Sequence, residues 1–279
     1  MNFSESELKE LHKVELNILK EFIKVCKKLN LQYYLLGGSA LGAIRHDGFI
    51  PWDDDIDVGM PRKDYEKFLN EAQSYLPSNY FIQTMNSDKN YRNHFAKIRN
   101  NDTCFIEESI KNIDMNHGIY IDIFPLDGCG NTIEEAKNNF YKYSKLNEIY
   151  LFKNHKISHS GLRNKFRCIY YWVLSLRYKN IFKVEEEIQN YCSSISYEKS
   201  KYVCNYFGMW REKEISLKKW FGKGKETKFE NIKVIIPNDS DKYLNKLYGE
   251  YMQLPPVEKR VAPHCYILDT NKSYKNYID

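Results

Sequence analysis

The chain has 279 residues, which is the size of one large domain or two small ones. Its 42 lysines and arginines against 37 aspartates and glutamates give a formal charge of +5, too little for a histone-like or arm-type nucleic-acid binder. Hydrophobic residues make up 42% and charged residues 28%, a composition that excludes an intrinsically disordered chain. We therefore expect a folded protein that does not bind nucleic acid.

The cysteines and the absence of targeting signals indicate the compartment. The seven cysteines are scattered, and no two have the C-x-x-C spacing of a zinc or redox motif. The first residues are polar, unlike a secretory signal, and the chain has no run of about 18 apolar residues. We expect a cytoplasmic protein, either soluble or bound peripherally to the inner face of a membrane.

Hydrophobic periodicity predicts alternating helices and strands. Ser4 and Glu7 have the spacing of a capping box at the start of the first helix. We expect helices at 4–30, 39–46, 62–75, 132–194 and 239–251, with Ser39 as the cap of the second. We expect strands at 33–36, 55–58, 80–85, 94–98, 104–107, 118–124 and 232–236, with Pro125 ending the strand before it. This order predicts an α+β fold, a mixed sheet flanked by helices with a largely helical insertion.

The strongest chemical signal is an acidic stretch. Asp53, Asp54, Asp55 and Asp57 place four carboxylates in five positions. On a strand, Asp53, Asp55 and Asp57 share one face, where their mutual repulsion is costly unless cations neutralise it. Hard oxygen ligands of this kind favour Mg²⁺, Mn²⁺ or Ca²⁺. The glycine and glutamate of an EF-hand loop are absent at their positions, so an EF-hand is excluded.

Two further signals lie on either side of the acidic stretch. Gly38 and Ser39 form a glycine turn before a predicted helix, whose N-terminal N–H groups suit a phosphate. Asp122 lies in an otherwise apolar strand, where a carboxylate is expensive to bury unless it binds something. Each signal alone also fits a plain turn, a solvated loop or a backbone-bonded side chain. Together and in this order they favour metal-assisted phosphoryl or nucleotidyl transfer.

These residues resemble the LicD family. The resemblance lies in segments 37–46, 48–57, 120–128, 229–237 and 243–260, in the family's order. LicD proteins resemble the polymerase-β-like nucleotidyltransferases, which implies a nucleotidyltransferase-type fold. The resemblance implies a catalytic core at 1–130, a largely helical region at 131–230 that contacts membrane or acceptor, and a segment at 231–279 that completes the core.

The family implies an activity and a set of site residues. The activity is transfer of a phospho-alcohol from a CDP-activated donor to a hydroxyl of a glycan precursor. Phosphocholine is the first choice of transferred group, and the glycan is of the teichoic-acid, lipopolysaccharide or capsule type. Asp55, Asp57 and Asp122 are the expected catalytic residues. They are also the expected ligands of Mg²⁺ or Mn²⁺, together with Asp53. The N–H groups of Gly38 and Ser39 are expected to hold a phosphate of the donor.

Three basic residues are candidates for the donor phosphates. Arg45 lies in the helix after the glycine turn, and a structural salt bridge is an equally good explanation of it. Lys97 and Arg99 share one face of a predicted strand, where a solvated face is the alternative. CDP-ribitol and CDP-glycerol are alternative donors. An NTP-using nucleotidyltransferase and a non-catalytic glycan-binding module are the alternative functions.

Other basic stretches have two explanations each. Residues 162–182 alternate basic and aromatic side chains, which is typical of a core helix with solvated ends or of an interfacial helix on an anionic membrane. Residues 218–228 carry five lysines and two glycines, and we expect a mobile loop there. His155 and His159 are four residues apart, but no third ligand is evident, so a zinc site is disfavoured.

Overall fold

A computed structural model describes residues 3–154, 162–260 and 265–278, with the side chains of 162–166 left out. The two histidines weighed as a zinc pair, His155 and His159, therefore lie outside the described residues. The chain forms two compact units. Unit 1 consists of Met1–Leu126 and Lys219–Asp279, and unit 2 consists of Asp127–Lys218.

The elements follow one another in the order below. The first stretch contains α1 (Glu5–Leu29), β1 (Tyr34–Leu35), α2 (Gly37–Arg45), β2 (Asp57–Pro61), α3 (Arg62–Glu71), β3 (Tyr80–Gln83), β4 (Ala96–Asn100), β5 (Cys104–Glu107) and β6 (Ile119–Gly130). The middle stretch contains α4 (Ile133–Lys153), α5 (Leu162–Ser175), α6 (Ile181–Ser194), β7 (Tyr202–Cys204) and β8 (Ser216–Leu217). The last stretch contains α7 (Lys218–Phe221), β9 (Lys225–Phe229), β10 (Ile232–Ile236), α8 (Ser240–Tyr248) and β11 (Cys265–Asp269).

A mixed sheet forms the centre of unit 1. Its strands have the order β1-β2-β6-β4-β3, in which β2 and β6 are parallel and the other neighbours are antiparallel. Helix α1 begins with the predicted capping box of Ser4 and Glu7 and ends at Asn30, whose left-handed backbone closes the last turn. The α+β prediction is confirmed.

Unit 2 is built around its helices. Helices α4 and α6 begin at the side-chain caps Thr132 and Asn180, as expected for the helical stretch predicted here. Their apolar faces enclose a core that includes Phe140, Ile188 and Tyr206. No helix of the described residues has the length and apolar character needed to cross a membrane.

Two strand predictions are wrong at their ends. Strand β2 begins at Asp57 rather than at residue 55, so Asp53 and Asp55 lie in the segment that leads into it. Strand β6 runs through Pro125 to Gly130 instead of stopping. The N–H of Asp122 points toward β2, where it donates to Ile56 O at 2.8 Å. By alternation, the nitrogen of Pro125 faces β4. The pairing with β4 stops at Ile123, opposite Ala96, so no residue of β4 needs an N–H from Pro125.

Two other local predictions are also wrong. Helix α2 begins at Gly37, and Ser39 is inside it rather than at its cap. The predicted loop at 218–228 contains β9, which pairs along its whole length with β10. Gly222 and Gly224 have φ values of +52° and +78°, and these left-handed residues turn the chain into that strand.

Candidate active site

Neighbouring strands bring three carboxylates together. Asp57 and Asp122 are register partners on the parallel strands β2 and β6, and Asp55 precedes β2 by two residues. One carboxylate oxygen from each of the three lies within 4.8 Å of the others. Asp53, Asp54 and Asp55 form a second group that meets the same distance. Because Asp55 belongs to both groups, the two form one continuous acidic surface.

Burial and mutual repulsion make the ionised form of these carboxylates costly, and a cation would lower that cost. Burial, followed by the charges of Asp57 and Asp53, raises the pKa of Asp55 well above its ordinary value. Burial also raises the pKa of Asp122, although Lys97 acts in the opposite direction. Like-charged carboxylates in this proximity cannot all ionise cheaply without a counter-ion. Oxygen ligands at this spacing fit a hard divalent cation such as Mg²⁺.

The glycine turn leaves room for two of these carboxylates. A Cβ atom on Gly38 would lie 2.5 Å from a carboxylate oxygen of Asp53, and one on Gly37 would lie 3.3 Å from Asp57. Gly37 also has a φ of +47°, which glycine adopts without strain. Its N–H donates to the hydroxyl of Tyr243 at 3.1 Å. Side chains larger than hydrogen would therefore disturb the acidic cluster.

Ser39 connects the turn to the cluster. Its hydroxyl accepts the backbone N–H of Asp57 at 2.8 Å. The side chain predicted to cap a helix therefore fixes the first residue of β2. The first N–H groups of α2, including those of Gly38 and Ser39, are at the positive end of the helix, where an anion is stabilised.

Lys97 lies directly against the cluster. Its Nζ is 2.7 Å from Asp122 Oδ1 and 3.3 Å from the ring centre of Tyr120. Lys97 is only 3% exposed, so the solvated-face alternative is wrong for it. Burial lowers the pKa of Lys97, and the charge of Asp122 opposes that shift. The ammonium supplies one positive charge to a site that holds at least three carboxylates.

Arg99 is placed differently from Lys97. Its guanidinium donates to Gln83 Oε1 at 2.7 Å and to Gly118 O at 2.8 Å, and it lies 4.5 Å from the centre of the Tyr120 ring. At 1% exposure it is not solvated either. Arg99 and Lys97 thus both contact the ring of Tyr120, but only Lys97 is paired with Asp122.

Arg45 bonds to backbone carbonyls. Its Nη1 donates to Tyr251 O at 2.7 Å, and its Nε donates to His46 Nε2 at 2.9 Å. Within the described residues we find no carboxylate that pairs with Arg45, so the salt-bridge alternative is not supported there. Burial lowers the pKa of Arg45, and the nearby charge of Arg260 lowers it further. The Arg260 guanidinium itself lies 5.2 Å from the centre of the Trp52 ring.

Sequence reasoning missed three residues near the acidic segment. His12 Nε2 is 2.8 Å from the backbone oxygen of Asp53, and its ring stacks on Phe49 at 3.9 Å. Glu230 Oε1 accepts the N–H of Phe49 at 3.1 Å. These partners are far apart in the sequence, so no local pattern indicates them.

Glu15 is the third missed residue, and the sequence did carry a signal for it. It occupies a position on the apolar face of α1, among Leu11, Ile18 and Leu19, and it is 1% exposed. Burial raises the pKa of Glu15 well above its ordinary value, and Asp54 adds most among the neighbouring charges. A glutamate within an apolar stripe is therefore a marker of a nearby polar site.

The site contains the groups that phosphoryl transfer requires. Clustered carboxylates can hold a divalent cation, a helix N-terminus can hold a phosphate, and Lys97 adds a buried positive charge. Enzymes that transfer phosphoryl groups depend mainly on such positioning and charge stabilisation.

Comparisons with known proteins agree with this chemistry. A family model described as LicD/FKTN/FKRP, nucleotidyltransferase domain, matches residues 30–166. The lipopolysaccharide cholinephosphotransferase LicD of Haemophilus influenzae is 30% identical over 274 residues, which cover 94% of this chain and 98% of that protein. The human and mouse ribitol 5-phosphate transferase FKRP is 45% identical over 42 residues, which cover 15% of this chain and 8% of FKRP. The similarity to the Haemophilus protein extends over nearly the whole of both chains, and we conclude that this chain belongs to the LicD family of phosphotransferases.

Proposed function

We propose that this protein transfers phosphocholine from CDP-choline to a hydroxyl of a cell-surface glycan precursor, with Mg²⁺ or Mn²⁺ as cofactor. The observation that carries the proposal is the convergence of Asp55, Asp57 and Asp122 within 4.8 Å beside the glycine turn. The choice of phosphocholine rests on the similarity to the Haemophilus cholinephosphotransferase over 98% of its length. Lipopolysaccharide, teichoic-acid and capsule precursors are the acceptors in this proposal.

The metal ligands in this proposal are Asp55, Asp57 and Asp122, with Asp53 as a fourth. A bound divalent cation supplies neutralisation of the donor's diphosphate. Asp53 belongs to the second acidic group, which shares Asp55 with the first. The two overlapping groups therefore offer ligands for one ion or for two.

The other residues orient the donor and the acceptor. The N–H groups of Gly38 and Ser39 bind a donor phosphate at the positive end of α2. Arg45, the last residue of α2, adds a positive charge. Asp122 accepts the proton of the attacking glycan hydroxyl, and Lys97, at 2.7 Å, stabilises its carboxylate. The bond between the acceptor oxygen and the phosphorus of phosphocholine forms while CMP leaves in line.

The test compares donors and products in one assay. Purified protein with Mg²⁺ and a lipid-linked glycan acceptor is given CDP-choline, CDP-ribitol, CDP-glycerol or CTP, and the released nucleotide is measured. We expect CMP from CDP-choline and none after chelation of the metal. The Asp55→Asn variant should release no CMP, whereas Asp102→Asn, at an exposed turn, should behave as the unsubstituted protein.

A second candidate donor is CDP-ribitol, favoured by the short match to the ribitol 5-phosphate transferases. CMP release from CDP-ribitol alone would replace phosphocholine with ribitol phosphate in the proposal. Pyrophosphate from CTP would show a nucleotidyltransferase instead. Failure of all four donors, with the protein folded and metal present, would indicate a glycan-binding module without catalysis.

A further inference from the structure

Helix α5 of unit 2 has apolar residues on two faces. Tyr171 and Leu174 pack against the core of unit 2. Ile169, Trp172, Val173 and Leu176 are exposed by 59, 54, 53 and 64% respectively, and we call these four residues the α5 stripe. Surface helices of globular proteins normally bury one apolar face and present polar residues on the other, so the stripe is unusual.

The spacing of the stripe makes it continuous. Ile169, Trp172 and Val173 lie at i, i+3 and i+4 on one side of α5. Leu176, at i+7, is the first residue after the helix, and its N–H donates to Val173 O at 3.2 Å. Tyr170, exposed by 49%, adds a second aromatic side chain with a polar tip on the same helix. Exposed apolar groups gathered in this way mark an interaction surface rather than ordinary scattered exposure.

The charge around the stripe is positive. Between Glu148 and Glu185 the sequence contains no aspartate or glutamate and eight basic residues, which are Lys153, Lys156, Arg163, Lys165, Arg167, Arg177, Lys179 and Lys183. Arg177 pairs with Glu187 at 2.9 Å and Lys183 pairs with Glu186 at 2.6 Å, while Arg167 pairs with Glu148. The pairs of Arg177 and Lys183 are exposed on both sides, and exposed pairs are weak enough to be exchanged for another anion.

We propose that the α5 stripe docks on an anionic lipid bilayer, with the helix lying along the surface. An apolar stripe containing tryptophan, flanked in the sequence by lysine and arginine, is the composition of helices that bury one face at the boundary of headgroups and acyl chains. Helix α5 has 14 residues and does not meet the requirements for crossing the membrane. A second copy of this chain is disfavoured as the occupant, because a symmetric contact would bring the same basic residues together.

The test is co-sedimentation of the full chain with vesicles, without donor or metal, so its outcome does not depend on the proposed catalytic activity. Vesicles of equal parts phosphatidylglycerol and phosphatidylcholine are compared with pure phosphatidylcholine. We expect binding to the mixed vesicles to exceed binding to neutral ones about tenfold and to fall when salt screens the charges. The neutral double variant Val173→Ser/Leu176→Ser should lose about tenfold in binding, because it removes apolar area without changing charge.

The matched control is Met209→Ser. Met209 is also an apolar residue of unit 2 and is 84% exposed, but it lies outside α5. The Met209→Ser variant should bind vesicles as the unsubstituted protein does. Thermal melting should show that all variants are folded. Absence of sedimentation, equal binding to both vesicle types, or unchanged binding of the double variant would each overturn the proposal. A dimer in light scattering that the double variant dissociates, without vesicle binding, would overturn it in favour of self-association.

Discussion

The ion pair between Lys97 and Asp122 in unit 1 is buried, with side-chain exposures of 4 and 10%, whereas that between Arg177 and Glu187 in unit 2 is exposed by 63 and 38%. In unit 1 the burial of charges raises the pKa of Asp55 and Asp122. The Arg177–Glu187 pair of unit 2 remains in water, and exposed apolar side chains of α5 lie in the same unit. The buried like charges of unit 1 are costly without a counter-ion, and the exposed basic and apolar groups of unit 2 are the basis of the proposed docking on a membrane.

The largest expected effect follows from removing one buried carboxylate of unit 1. Asp122→Asn keeps the shape of the side chain but removes a metal ligand and the proposed proton acceptor. We expect the rate of CMP release to fall about 100- to 1,000-fold, the range of losses seen when a catalytic electrostatic group is removed. Steady-state assays with a melting curve on the same sample measure this. A rate within a factor of ten would show that Asp122 is not part of the machinery.

The two ion pairs themselves provide the next comparison. Lys97→Met leaves Asp122 buried without its partner, and we expect a loss of about 3 kcal/mol in the free energy of unfolding without metal. The corresponding Arg177→Met in unit 2 should cost about 0.5 kcal/mol or less, because water and salt screen an exposed pair. Urea denaturation of both variants gives the two values. Equal losses would remove the physical distinction drawn between the units.

A smaller effect is expected at the glycine turn. In Gly38→Ala the new methyl would lie 2.5 Å from the Asp53 carboxylate, which must rotate away. We expect half-maximal activity to require about tenfold more Mg²⁺, with little loss of stability. Small displacements in a site impair positioning first. Mg²⁺ titrations of activity check this. An unchanged Mg²⁺ dependence would show that Asp53 is not involved.

The smallest predicted effect is a dependence of metal stabilisation on pH. The pKa values of Asp55 and Glu15 are raised above their ordinary 3.8 and 4.5, so the folded chain holds these protons more tightly than the unfolded chain. Without metal, their contribution is fully present below the ordinary pKa values and is lost as pH rises through the raised ones. A cation replaces the protons, so Mg²⁺ should raise Tm more at about pH 7.5 than at about pH 5.

Melting curves at both pH values, with Mg²⁺ and with chelator, measure that difference. The Asp55→Asn variant serves as the control, because it removes one titrating carboxylate and a ligand together. It should show a smaller Mg²⁺ effect with a weaker pH dependence. The same Tm increase at both pH values in the unsubstituted protein would contradict the proposed competition between protons and metal.

Local sequence signals predicted much of the sheet but not the support of the site. The α+β class, the capping box of α1 and strand β10 follow from patterns within a few residues. The extension of β6 through Pro125 depends on where a neighbouring strand ends, which a local pattern does not contain. The contacts of His12 with Asp53 and of Glu230 with Phe49 join residues 41 and 181 positions apart.

The candidate site shows the same division between local and distant information. Asp55 and Asp57 were evident as an acidic stretch, and Asp122 as a carboxylate in an apolar strand. The direction of Lys97 toward Asp122 follows only from the pairing of β4 with β6, in which these two residues are opposite. Ser39 lies inside α2, which begins two residues earlier than predicted, and its hydroxyl accepts the N–H of Asp57 across the site.

The most direct test of the central claim is a calorimetric titration of CDP-choline into the protein with and without Mg²⁺, repeated with Asp57→Ala. If Asp55, Asp57 and Asp122 hold the cation that receives the donor's diphosphate, CDP-choline should bind only with Mg²⁺, and Asp57→Ala should abolish that binding while remaining folded. Binding of the same strength without Mg²⁺, or in Asp57→Ala, would contradict the account.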